Sequence, residues 1–212
     1  MLGAGGTALE AIDLVAALNA RGAQFDLTAA LDDNRERWGT RIRDVPIPGG
    51  LMRVADFPQA LFVDTLGSTA SFRLRPGVIE RLGIPDERFA TLVHPLADVS
   101  SQGSIGAGSL VFPFVVVAAG ARLGRHTTVL PHSVVHHGAS LGDWTILASH
   151  VVLAGDVSIG TCCYLGAGAR VIQRANVGDR SLVGMGGVVI RDVPSDVTVV
   201  GNPARRIEGD PG

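Results

Sequence analysis

The chain is predicted to be mainly β: a parallel β-helix of hexapeptide repeats, preceded by a small Rossmann-like α/β domain. Three observations carry this. An aliphatic residue falls on every sixth position from Val93 to Val189, seventeen times in succession. Gly follows that aliphatic at 106, 124, 142, 160 and 178, a spacing of 18. Residues 1 to about 90 lack the period and instead show a glycine turn, a helical stretch and an acidic pair.

A six-residue period is neither the 3.6 of a helix nor the 2 of a flat strand. It is the signature of a hexapeptide β-helix, in which each hexad supplies one short side. The superperiod of 18 makes three hexads into one triangular coil. Inward residues then stack at the usual strand spacing of about 4.8 Å, and each coil covers the hydrophobic face of its neighbour. The position four residues after each aliphatic is small or β-branched, as at Ala97, Gly103, Ser109, Val115, Ala121 and Thr127. The repeating glycines are expected to serve tight corners that need positive φ.

The first domain, residues 1–90, opens with Gly3-Ala4-Gly5-Gly6-Thr7 and an amphipathic helical pattern from Ala8. A strand-like stretch follows over residues 25–31 and ends in Asp32-Asp33. Another covers 61–64, and a short helical stretch covers 78–82. A glycine turn at a helix start lets backbone N–H groups approach a phosphate. The alternative is a helix N-terminus that only needs a tight turn. Met1-Leu2 alone precede the turn, fewer than the roughly five residues a first strand usually has.

The 212 residues, 46% of them hydrophobic and 18% charged, suffice for a sizeable core. A net charge of −2 without a basic run argues against nucleic acid as a partner. No apolar stretch reaches the roughly 18 residues of a membrane span. Cys162 and Cys163 are adjacent, which suits a reducing, cytoplasmic setting.

The pattern aliphatic–Gly–x–x–small–x resembles the hexapeptide-repeat acyltransferase superfamily, whose β-helix is left-handed. With the N-terminal motifs, the chain resembles the sugar O-acyltransferases of the sialic acid O-acetyltransferase type. That group includes N-acetyltransferases of nucleotide-linked amino sugars. The resemblance rests on Gly3-Ala4-Gly5-Gly6, Asp32-Asp33, His94-Pro95, Val134-Val135-His136-His137, Leu153-Ala154-Gly155 and the closing Val199-Val200-Gly201-Asn202-Pro203-Ala204-Arg205.

The resemblance implies an acetyl-CoA-dependent acetyltransferase without a metal. It implies a homotrimer, with CoA lying in the groove between two β-helices. His137 would be the general base, a role suited to an unperturbed pKa of about 6.5. Gly155, 18 residues later and therefore one coil above, would offer its N–H to the oxyanion; a structural corner glycine is the other reading. CoA would meet Ile146, Gly155, Ala167, Gly184, Met185 and Gly186, with Arg205 reaching its phosphates or standing in a solvated tail. The nucleotide sugar would meet Gly5, Gly6, Thr7, Asp32 and Asp33, the aspartates otherwise being a solvated strand end. The expected division is 1–90, a β-helix over 91–194 and a tail over 195–212.

The chain departs from the family at three places. Gly138 stands where an acid often follows the base, Ile146 replaces a second histidine, and Thr7 replaces one in the glycine turn. An acid restored at 138 is expected to preserve or raise activity if the site tolerates its bulk. Three other readings stand beside this one: an O-acetyltransferase of another small acceptor, a weakly active or non-catalytic homologue, and a zinc enzyme of the γ-carbonic-anhydrase kind. The last is disfavoured because His132 has no third histidine one coil earlier, where Phe114 stands.

Overall fold

The computed structural model describes residues 1–207. The end of the expected tail, 208–212, lies outside them. Two-residue strands run in parallel on three faces, and partners are 18 residues apart, as in Val134 with Val152 and Val135 with Leu153. The result is a parallel β-solenoid of about 6 turns.

One face carries strands from Leu92–Val93 through Ile146–Leu147 to Leu182–Val183. A second runs from Asp98–Val99 through Val134–Val135 to Val188–Val189. A third runs from Ser104–Ile105 to Asn176–Val177. Inward residues such as Val111, Val129, Val135, Leu147, Leu153 and Leu165 are fully buried and form one continuous core. The polar members of the small-residue positions are also buried, and their hydroxyls are satisfied. Ser109 donates to the Gly124 carbonyl at 3.0 Å, Ser133 to Ala148 at 2.9 Å and Thr145 to Gly160 at 2.8 Å. A buried hydroxyl without such a partner would cost about 1–3 kcal/mol.

The repeating glycines have a different cause from the expected one. None of Gly106, Gly124, Gly142, Gly160 and Gly178 has positive φ. A Cβ on any of them would come within about 2.6 Å of atoms of the next coil, as with Gly124 against the Asp143 N–H nitrogen at 2.6 Å. Close stacking of backbones demands the glycine. Positive φ falls two residues later, at Gly108, His126, Trp144, Cys162 and Arg180.

The outward residues distinguish the faces. Ser104, Arg122, Ser158 and Asn176 are exposed on the third face, and Val116, Val134, Val152 and Val188 are half-buried on the second. On the first, Leu92, Leu110, Thr128, Ile146 and Leu182 are buried because the N-terminal residues pack over them.

In that segment α1 (Gly6–Asn19) buries Ala8, Ala11, Leu14 and Val15, one helical stripe, in the same apolar cluster as Leu92, Leu110 and Phe112. Parallel bridges join Leu2 to both Leu31 and Asp64, Leu31 to Gly49, and Phe62 to Phe89. Residues 25–31 form no strand beyond the bridge at Leu31. The Asn19 side chain instead takes both backbone groups of Phe25, at 2.9 Å each. The helical stretch expected at 78–82 is observed as α2 (Arg75–Arg81).

The expected boundary at 195 is also corrected. Thr198–Val200 pairs in parallel with Leu182–Val183, so these residues extend the solenoid before turning back through Arg205–Arg206.

Candidate functional site

His137 stands on the turn that follows Val134–Val135 and is exposed. Its carbonyl accepts the Asp156 N–H at 2.9 Å, which ties this corner to the next coil. A Cβ on Gly155 would lie 2.4 Å from His137 Cε1 and 2.6 Å from Nε2. The imidazole therefore fills the space where a side chain at 155 would begin. Among the described residues the Gly155 N–H donates to no other group. An imidazole and a backbone N–H without an acceptor thus lie at one corner, and acyl transfer needs a base and an oxyanion donor close together. His136 lies edge-on to His137 with ring centroids 6.5 Å apart.

Gly138 has φ +68°, and a Cβ on it would lie 2.2 Å from Asp156 Oδ1. The space expected to admit an acid at 138 is already held by the carboxylate of Asp156. That residue had no sequence signal beyond its place 18 after Gly138.

The positions expected to meet CoA separate into three groups. Ala167, Gly184, Met185 and Gly186 lie together on the corner that precedes the second face, where Gly186 donates to the Ala167 carbonyl at 2.8 Å. Met185 is 79% exposed. Arg205 is brought to the same region, since it pairs with Val200, whose side chain touches Gly184. His137 and Gly155 lie on the corner that follows the second face, so one chain does not unite them with Ala167 and Met185.

Ile146 stands apart from both groups, on the first face. Its side chain is 5% exposed, packs in one cluster with Phe72 and Leu182, and meets Gly67. The side chain fastens the N-terminal segment to the solenoid.

At the N-terminus, Gly5 is the N-cap of α1, and a Cβ on Gly5 or Gly6 would meet nothing within 4 Å. The N–H groups of Gly5, Gly6 and Thr7 donate to no other group among the described residues. Open space in front of free donors at a helix start suits an anion. Asp32 and Asp33 are not a free strand end. Asp32 accepts the Ala4 and Asn34 N–H groups at 2.8 Å each, and Asp33 accepts that of Leu51 at 2.8 Å. Both line a cavity of about 250 Å³ with Gly3, Gly67 and Arg75.

Beside this cavity lies a charged cluster that sequence reasoning missed. Arg75 and Asp64 are fully buried and bonded at 2.9 Å. His126 Nδ1 is 3.6 Å from the same carboxylate, and its ring stacks on Trp144 at 3.9 Å. Burial pushes the Asp64 carboxyl up, but Arg75 and His126 outweigh it and hold the group below the usual carboxylate range. No motif marks this cluster, because it forms only where the two parts of the chain meet.

On the Met185 corner, earlier coils carry an exposed ladder. Phe114 stacks on His132 at 4.9 Å and His132 on His150 at 4.8 Å. The third place holds a phenyl ring, which has no metal-ligating atom.

The repeat-built solenoid, with a histidine on one corner against a glycine of the next coil, defines the class: it matches the left-handed β-helix fold of hexapeptide-repeat acetyltransferases. No family model matches the chain, and no curated protein matches it significantly. Solved structures do match. The acetyltransferase domain of PglB from Neisseria gonorrhoeae is 29% identical with a TM-score of 0.84, over 97% of both chains. GDP-perosamine N-acetyltransferase from Caulobacter crescentus, solved as a histidine-to-alanine variant with CoA and GDP-perosamine, is 28% identical with a TM-score of 0.83. That match covers 98% of this chain and 95% of the other. WeeI from Acinetobacter baumannii is 25% identical with a TM-score of 0.80, over 97% of both chains. These likenesses place the chain among acetyl-CoA-dependent acyltransferases.

Proposed function

We propose that the chain transfers the acetyl group of acetyl-CoA to the amino group of a nucleotide-linked amino sugar. The observation that carries this reading is the closeness of the His137 ring to Gly155, whose N–H has no acceptor among the described residues. In the proposed reaction the sugar amine attacks the thioester carbonyl and a C–N bond forms. His137 takes the amine proton. The Gly155 N–H faces the oxyanion until the C–S bond breaks and the thiol of CoA leaves with a proton. One oxyanion donor is typically worth about 10²–10³ in rate.

The parallel bridges around Leu2, crossed over by α1, support reading the first ninety residues as a Rossmann-like unit that holds the nucleotide. Gly5, Gly6 and Thr7 would receive the phosphates, and Asp32 and Asp33 would shape the cavity beside them. Ala167, Gly184, Met185 and Gly186 would hold CoA, with Arg205 at its phosphates. Those residues and His137 lie at opposite ends of the second face. A site that uses both needs two copies of the chain, which supports a homotrimer of the sialic acid O-acetyltransferase type. The setting we propose is the cytoplasm.

The test is a thermal-shift screen of purified protein against acetyl-CoA and a panel of nucleotide amino sugars, followed by acetyl transfer with those that bind. A native-state ligand at 100 times its Kd stabilises by about 2.7 kcal/mol. His137→Ala should keep the acetyl-CoA response and lose about 10²–10⁴ in rate. Normal turnover in that variant would remove His137 as the base.

A further inference from the structure

We propose that the ring of His150 limits the length of the acyl group this chain accepts, closing the donor strip just below an acetyl group. The inference rests on the proposed acetyl transfer and deepens it by naming the donor class. The corner that precedes the second face carries one residue per coil at Phe114, His132, His150, Gly168 and Gly186, all with positive φ. The lower three bear exposed rings and the upper two bear no side chain. Phe114 and His132 stack at 4.9 Å with 15° between ring planes, and His132 and His150 at 4.8 Å with 4°. These spacings match the strand spacing of about 4.8 Å, so the column of rings runs along the solenoid axis. Above His150 the column stops. A Cβ on Gly168 would meet only the Gly186 Cα, at 4.0 Å, and one on Gly186 would meet nothing within 4 Å. The Gly168 N–H donates to the Ser149 carbonyl at 2.9 Å, which seats this open step on the coil of His150.

Gly168 and Gly186 directly follow Ala167 and Met185, two of the positions proposed to hold CoA. Together they make an open strip of backbone that runs down the corner and ends at the His150 imidazole. Arg170 reaches the Gly168 carbonyl from the second face at 3.3 Å and borders the strip on that side. His150 also shares a coil with Gly155: it precedes the strand Val152–Leu153, and Gly155 follows that strand. In a homotrimer whose axis parallels the solenoid, equal coils of neighbouring copies stand at equal height. A thioester carbonyl at the Gly155 N–H of one copy then lies level with the His150 ring of the other. The arm of CoA descends the glycine strip from Met185, and the acyl group stops at that ring. A two-carbon acyl group ends there, whereas each further methylene enters space the imidazole holds. One methylene in a fitted pocket is worth about 10–200-fold in discrimination. His150 takes no part in the proton transfer; it determines specificity.

The test is calorimetric titration of the full chain and of His150→Gly with CoA, acetyl-CoA and butyryl-CoA. Glycine suits the position because φ is +61° there. Wild type should bind acetyl-CoA at least about tenfold more tightly than butyryl-CoA. His150→Gly should abolish that gap and leave the affinity for CoA itself unchanged. His132→Gly, one rung lower with His150 still in place, should keep the gap, which separates a length limit from a general loosening of the corner. Should His150→Gly melt early, His150→Asn is the second variant, since Asn also accepts a left-handed backbone and is shorter than His. Equal wild-type affinities for the two acyl donors would overturn the proposal. So would a gap that survives in a His150 variant of wild-type melting temperature. Failure of the acetyltransferase reading has its own signature, since wild type would then bind none of the three.

Discussion

The imidazole of His137 occupies the place where a side chain on Gly155 would begin, 2.4 Å from an ideal Cβ to His137 Cε1. The two residues are 18 apart, one full coil, so the contact follows directly from the register. It joins the candidate base to the candidate oxyanion donor and decides what each position tolerates.

Gly155→Ala should therefore push the His137 ring into solvent. His137 is exposed, so the ring has room to move and the fold should survive. A displacement of about 1 Å can cost about 10² in rate. The check is kcat together with the melting temperature. Unchanged kcat would mean that the ring position does not matter.

Gly138→Asp alone should lower activity, contrary to what the sequence suggests. Its side chain would meet the Asp156 carboxylate, and two carboxylates would share one space. Steady-state kinetics at several pH values would show the loss. Activity at or above wild type would show that Asp156 moves aside without cost.

The Asp64–Arg75 pair should make the docking of the N-terminal segment acid-sensitive. The folded Asp64 carboxyl sits below its usual range, and its unfolded value is about 3.9. Its contribution to stability is thus complete above that value and is lost as pH falls through the lower, folded pKa. Removing one partner of a buried pair costs about 3–5 kcal/mol near neutrality. The stability gap between wild type and Asp64→Asn, followed by denaturant melts from pH 7 downward, should close below about pH 4. A gap independent of pH would assign the pair no role in acid sensitivity.

Both thiols should be inert in the folded protein. Burial pushes Cys163 up to about 12 and raises Cys162 as well. An aromatic disulfide reagent at pH 8 should modify neither in native protein and both in urea, since the thiolate is the reactive form. Fast native labelling would show that the Phe72 contact over Cys162 opens readily.

The periodic part of the chain was legible without coordinates. A repeat turns sequence distance into spatial contact, so the core stripe, the three faces and the stacking of Gly155 over His137 could be read by counting. The roles of single side chains at the corners were less legible. The spacing glycines look like positive-φ residues, yet they are forced by backbones of neighbouring coils approaching within a Cβ radius. Asp156 sits one coil from where a sequence reading looks for an acid.

The sequence by itself determined the solenoid and the corner that bears His137, because a local repeat propagates the same hydrogen-bond register coil after coil. Only the tertiary structure decided where the non-repeating first ninety residues settle. Their packing buries Ile146 under Phe72 and brings Arg75, Asp64 and His126 together. Such contacts depend on shape and burial between segments with no shared period, and no spacing along the chain encodes them.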